Sequence, residues 1–281
     1  MGLFYLFASV LAESAGYAID RVNFRKNRIG FRQSMFLAFS SMSICLLLYL
    51  LFIRQPLPHP TLAALGLVIA IILCSFGGNA FDSLSLKVDD LSLREPLLDL
   101  QPVLAGLVAY VIFPDERKVI SLIAFVAGAL VVRWGIHRTK LRKVQKKGMG
   151  YLLLCVVLYA GMPSLYKLSL HYLSPAYIAF FRVLGTFILT AAFLPVKHMC
   201  GFTGRRVRYA VASGIVCSAG AIVSLYAIQS YGVVITMLFS MLGPATRYLA
   251  GQFILREKVR RIEVLSSLML TLTVAIAAFM K

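Results

Sequence analysis

Gln101-Pro102-Val-Leu-Ala-Gly-Leu-Val-Ala-Tyr-Val-Ile-Phe-Pro-Asp115-Glu-Arg and Gly243-Pro244-Ala-Thr-Arg-Tyr-Leu-Ala-Gly-Gln-Phe-Ile-Leu-Arg-Glu257-Lys read as one stretch written twice. Pro102 and Pro244 are 142 residues apart (244 − 102), and the same offset pairs Phe39 with Phe181, Gly78 with Gly220, Leu100 with Leu242, Asp115 with Glu257 and Val132 with Val274. Each half contains five apolar segments. Five is odd, so the second copy must enter a bilayer from the opposite side. Inverted repeats of this kind build a site near the midplane that opens to either face in turn.

Composition agrees with a membrane chain. It is 60% hydrophobic and 14% charged, with mean hydropathy +0.84, outside the range of soluble domains of this length. Ten spans are expected: 2–19, 34–53, 62–84, 91–113, 119–136, 150–169, 175–195, 208–229, 232–255 and 262–280. Most approach the ~20 residues that carry a helix across ~30 Å of hydrocarbon. The expected fold is therefore an all-α membrane protein of ten transmembrane helices in two inverted five-helix repeats. Residues 1–136 form the first repeat, 137–149 a basic connecting loop and 150–281 the second. Leu3–Leu11 could imitate a signal peptide, but no basic residue precedes it and a matching helix starts at Gly150. Leu6 stands where myristoylation needs Ser or Thr.

The net charge of +18 does not imply nucleic acid, because the bases lie in short connections between spans. Of 29 Lys and Arg, 22 lie in or beside the connections after spans 1, 3, 5, 7 and 9, and five at the other end; Arg182 and Arg247 lie inside spans. The positive-inside rule makes the richer end cytoplasmic, puts both termini outside and invites anionic lipid headgroups to the basic loops. Cys45, Cys74, Cys155, Cys200 and Cys217 are scattered and form no disulfide framework. His198 and Cys200 are a weak metal signal, and no metal is expected.

The mid-helix prolines followed by an acidic turn, together with Ala179-Phe-Phe-Arg182, resemble the drug/metabolite transporter superfamily, in its EamA-like ten-helix branch. The resemblance covers nearly the whole chain. Leu11-Ala12-Glu13-Ser-Ala-Gly16 is similar to the membrane-embedded glutamate motif of the small multidrug resistance branch, which implies cation or proton binding at Glu13. The resemblance also implies cytoplasmic termini, opposite to the charge count, and Glu95 and Asp99 make the fourth helix unusually acidic for it.

Charge inside a span costs ~2.5–3.5 kcal/mol on insertion scales, so each such residue suggests a role or a partner. Glu13 sits mid-span, and its counterpart is Gly161, so the symmetry is broken there. It is expected either to bind a proton or cationic group, or to be neutral by burial or paired with Arg247. Asp99, three residues before Pro102, is a candidate for the cavity wall, one turn beyond Glu95. Pro102 and Pro244 are expected helix kinks that free backbone carbonyls. Arg247 needs an anion, either a carboxylate of the chain or a carboxylate or phosphate of a solute. Arg182 is expected to snorkel to a membrane face in preference to binding solute. Asn79, Asp82, Tyr17, Tyr166 and Gln229 could line the path or make helix contacts, and Ala210, Gly214 and Ser218 form a small-residue packing stripe.

No phosphate-binding glycine loop, zinc-binding His-Glu pattern or Gly-x-Ser-x-Gly occurs, so an enzyme is not expected. The expected function is secondary transport, as an exporter or exchanger of a small metabolite or drug-like solute by alternating access. A proton would be the coupling ion, and no cofactor is expected. Alternatives are a phosphorylated or lipid-linked substrate and a non-transporting membrane scaffold or subunit. The expected partners are the solute and membrane lipids, not nucleic acid. The chain would be a monomer or homodimer, multi-pass in a prokaryotic inner membrane.

Overall fold

The computed structural model describes residues 2–27, 31–56, 61–86, 97–138, 146–193, 204–250, 265, 268–269 and 271–273. Among these no strand occurs. The helices are α1 (Gly2–Asn27), α2 (Phe31–Ile53), α3 (Leu62–Leu86), α4 (Leu100–Ile112), α5 (Val119–Arg138), α6 (Lys146–Ser169), α7 (Pro175–Phe193), α8 (Gly204–Ser240) and α9 (Gly243–Ala250), with a 3-10 turn at Pro114–Glu116. Five described helices are long and apolar enough to cross a membrane: Arg32–Ile53, Leu62–Asp82, Gly148–Ser169, Pro175–Phe193 and Gly204–Ser240. Leu3–Ile19, Leu100–Ile112 and Val119–Val131 are shorter apolar helices. The tenth expected span lies largely outside the described residues. The connection between the halves is shorter than 137–149, because α5 runs to Arg138 and α6 begins at Lys146.

Apolar residues cover both the inside and the outside. Phe4, Phe7 and Leu11 on α1, Ile44, Leu48 and Phe52 on α2, and Val119, Ile123, Val126 and Leu130 on α5 are exposed. They recur at helical spacing, so each helix turns one apolar face outward. That is the arrangement hydrocarbon solvates. The opposite faces pack a core around fully buried Phe125, Leu46, Ile71, Ile178 and Val183.

Close approach between helices relies on small residues. The α8 stripe of Ala210, Gly214 and Ser218 lies against α2: Ser41 donates to the Ala210 carbonyl at 3.3 Å and Ser218 to the Met42 carbonyl at 3.4 Å. A side chain at Gly214 would collide with Ser41. The stripe is packing, as its spacing predicts. α1 packs along α8 and α9, while α3 packs along α6 and α7.

Two helices are broken where the repeated prolines stand. Residues 97–98 are helical, Asp99 is a turn, and α4 restarts at Leu100. Met241 and Leu242 likewise form a turn before Gly243 starts α9. Asp99 keeps right-handed helical angles (φ −66°, ψ −16°), and Pro102 and Pro244 each sit in the first turn after the interruption, where proline supplies no N–H to the carbonyl four residues earlier. A further break falls inside α8 at Gly232, with φ 81° and ψ 173°. The proline that does interrupt a long helix is Pro163 in α6.

Candidate functional site

Arg182 is the eighth residue of the 19-residue α7, well away from either end. Its Nη1 donates to the Tyr166 hydroxyl of α6 at 2.9 Å, and the guanidinium carbon lies 5.9 Å from the Tyr166 ring centroid. Its Nε is buried without an acceptor among the described residues. A guanidinium carries five N–H donors in a planar fork, and a neutral phenol satisfies one of them. The Tyr159 phenol and the Cys217 thiol lie within electrostatic range of the same cation.

The α6 wall adds polar capacity. Pro163 lacks an N–H, so the carbonyl four residues earlier, on Tyr159, loses its helical donor. The next residue, Ser164, has a buried hydroxyl without a partner among the described residues. Asp82 of α3 lies within electrostatic range of Tyr159.

Glu13 faces this wall from α1. It is exposed, yet it stands two residues, about 200° around the helix, from outward-facing Leu11. It also lies within electrostatic range of Tyr166. Its exposure is therefore on the side of α1 away from Leu11. Its neighbours tie α1 down: Ser14 shares a 2.5 Å hydrogen bond with Thr246 of α9. Tyr17, one turn beyond Glu13, is half-buried.

The other expected residues are placed elsewhere. Asn79 is half-buried, and its Nδ2 donates to the Ser75 carbonyl of its own helix at 2.7 Å. Asp99 is buried at the break before α4, in the N-cap position, and makes no side-chain cap bond there. Gln229 is exposed near the end of the first part of α8. Arg247 belongs to α9, but its side chain lies outside those described, as do Arg94, Glu95 and Glu257.

A second polar cluster went unforeseen. The Glu116 carboxylate accepts from the backbone N–H groups of Val233 and Val234, at 3.1 and 2.7 Å, just beyond the Gly232 break. Lys167, next to Tyr166, reaches Glu116 at 2.6 Å and Asp115 at 3.0 Å, with its ammonium 4.2 Å from the Phe113 ring centroid. The hydrogen bond from Lys167 holds the exposed Asp115 carboxyl below its usual range, against a small opposing effect of burial. The sequence signal was the acidic turn shared by the two repeats; nothing local pointed to its partners.

A bundle of helices that turn apolar faces outward is the architecture of an integral membrane protein. Residues 146–279, just under half of the chain, match the model of the EamA-like transporter family. The match is consistent with the drug/metabolite transporter superfamily and supports a multi-pass membrane protein with a general transporter role. The match to the small multidrug resistance motif at Glu13 rests on sequence resemblance alone. Among solved structures, one titled only "Crystal structure of protein" is similar at TM-score 0.72 and 15% identity, covering 96% of this chain and 99% of that one. At that identity the likeness concerns the fold. No curated protein matches by sequence.

Proposed function

We propose that the chain is a secondary transporter that moves a small solute by alternating access, with Arg182 and Tyr166 binding an anionic group of that solute. One observation carries this reading: a guanidinium in mid-helix, bonded to a phenol and with a buried Nε that has no acceptor among the described residues. Such a cation is stabilised most by a carboxylate or phosphate, which accepts two N–H bonds from the fork. In this reading Glu13, on the Tyr166 side of α1, lines a recess with Arg182 and takes a proton or a cationic group. Protonation removes its charge when the recess closes, so proton and solute can compete or alternate.

The remaining features follow the same reading. Residues 1–136 and 150–281 are the two inverted halves that move against each other. The basic end faces the cytoplasm of a prokaryotic inner membrane and meets anionic headgroups, and the unit is a monomer or homodimer. A phosphorylated solute is a second version, favoured by the guanidinium's spare donors. The test is thermal stabilisation of purified protein by carboxylates, phosphorylated metabolites and quaternary ammonium compounds, in wild type, Arg182→Met and Glu13→Gln. An anionic class should stabilise wild type and Glu13→Gln but not Arg182→Met, and Glu13→Gln should lose proton-linked uptake in liposomes. Equal stabilisation of Arg182→Met by the same ligand would sink the assignment.

A further inference from the structure

The polar cluster around Glu116 lies at one end of the bundle, where α4, α6 and the first part of α8 all finish. This is the end poor in lysine and arginine. Other contacts tie the same end: Ser174 donates to the Gln55 side chain at 2.8 Å, and the Tyr177 hydroxyl to the Gln55 carbonyl at 2.9 Å. The short segment Val233–Ser240 has its first amides capped by Glu116 from another part of the chain, where side-chain oxygens and negative charge are most stabilising. Gly232 allows the carboxylate in, because a Cβ there would occupy the space of the Glu116 carboxyl group.

The cluster is joined to the recess on both sides. Lys167 is adjacent in sequence to Tyr166, which holds Arg182. The capped segment leads through the Met241–Leu242 turn into α9, whose Thr246 bonds Ser14, the neighbour of Glu13. We infer that Glu116 and Lys167 form a latch that closes this end of the recess, and that its release opens Glu13 and Arg182 to that face. The inference deepens the alternating-access reading and rests on it. A movement of Tyr166 caused by solute would pull on the latch through adjacent Lys167, and one of Glu13 through Ser14, Thr246 and the segment before α9. A contact of this kind, made in one arrangement and broken in the other, is what coupling would require.

The test uses Glu13→Cys as reporter in a chain whose native cysteines are replaced, reconstituted in liposomes. A membrane-impermeant thiol reagent is applied to the face bearing residue 116. Labelling should accelerate about tenfold or more in Glu116→Gln and in Lys167→Met, as the open population rises. A second readout, the distance between spin labels at Lys118 and Ser230, should gain a longer component in Lys167→Met. Lys167→Met retains the carboxylate cap, so it reports on the latch even where Glu116→Gln does not fold. Unchanged labelling and distance in folded Lys167→Met would overturn the latch. The labelling readout needs no transported solute, so failure of the latch is distinguished from failure of the solute assignment. Labelling from the opposite face in every variant would leave residue 13 in a recess and remove only the latch.

Discussion

Replacing Gly232 by alanine adds one methyl group at a point where two constraints meet. At φ 81° and ψ 173° the backbone lies in a region open essentially to glycine alone, and a side chain held there costs about 1–3 kcal/mol. The new Cβ would also fall on the Glu116 carboxyl group, displacing an acceptor of two amide bonds. A hydrogen bond to a charged group contributes about 1.5–3 kcal/mol, and water at the membrane surface recovers part of it. The expected total is about 2–5 kcal/mol, read by reversible unfolding in mixed micelles. The two terms are separable. In a Glu116→Ala background the steric conflict is gone, so Gly232→Ala should cost only the backbone part, leaving about 1–2 kcal/mol of non-additivity. Gly66→Ala is the control: its added methyl meets nothing within 4 Å on α3, so it should stabilise by about 0.5–1 kcal/mol. Strict additivity of Gly232→Ala and Glu116→Ala would refute the cap as the reason for glycine at 232.

A methyl group at Gly106 of α4 would strike the ring of fully buried Phe125 on α5. Gly106→Ala should therefore destabilise by about 1–3 kcal/mol, with part of the loss recovered in combination with Phe125→Leu; no recovery would place the strain elsewhere. Asp115 supplies a pH dependence of known sign. Its carboxyl is held below the ordinary value of 3.8 when folded, so its contribution is present above that value and disappears as pH falls through the lower, folded one. Wild type should thus melt above Asp115→Asn near neutrality, with the two midpoints converging in acid. A gap that persists at the lowest pH would show that the carboxylate charge is not its source.

The all-helical membrane architecture was legible because hydropathy acts over long stretches of chain. The prolines at 102 and 244 marked the right places for irregular backbone. What they could not convey is that the interruption falls two or three residues before each of them, at Asp99 and at Met241–Leu242. The site was only half legible. Helices apolar nearly all round hide which face looks inward, so the sequence left open whether Glu13 is buried, and the structure has it exposed. Arg182 was read as a snorkelling side chain because its partner, Tyr166, lies on another helix. Glu116 was visible merely as part of an acidic turn, since the amides it caps lie at Val233 and Val234, more than a hundred residues on. Pro163 stood in plain view inside a span, but its consequence depends on Tyr159, Ser164 and Arg182 sharing one neighbourhood.

The distribution of charge between the two halves explains why a repeated chain would abandon its symmetry at the centre. Under the 142-residue offset the counterpart of Arg182 is Ser40, which donates to the Leu37 carbonyl of its own helix. The counterpart of Glu13, at its locally longer offset, is Gly161. A symmetric site would set two guanidinium groups, or two carboxylates, in one low-dielectric recess, where like charges repel strongly. With the acid on the first half and the base on the second, a solute carrying both charges would bridge the halves and draw them together. Binding free energy would then favour the closed arrangement over either open one, which is the differential affinity that a ligand needs to shift a conformational equilibrium. On this argument Arg182 and Glu13 should contribute together: for such a solute the loss in the double variant should be smaller than the sum of the two single losses.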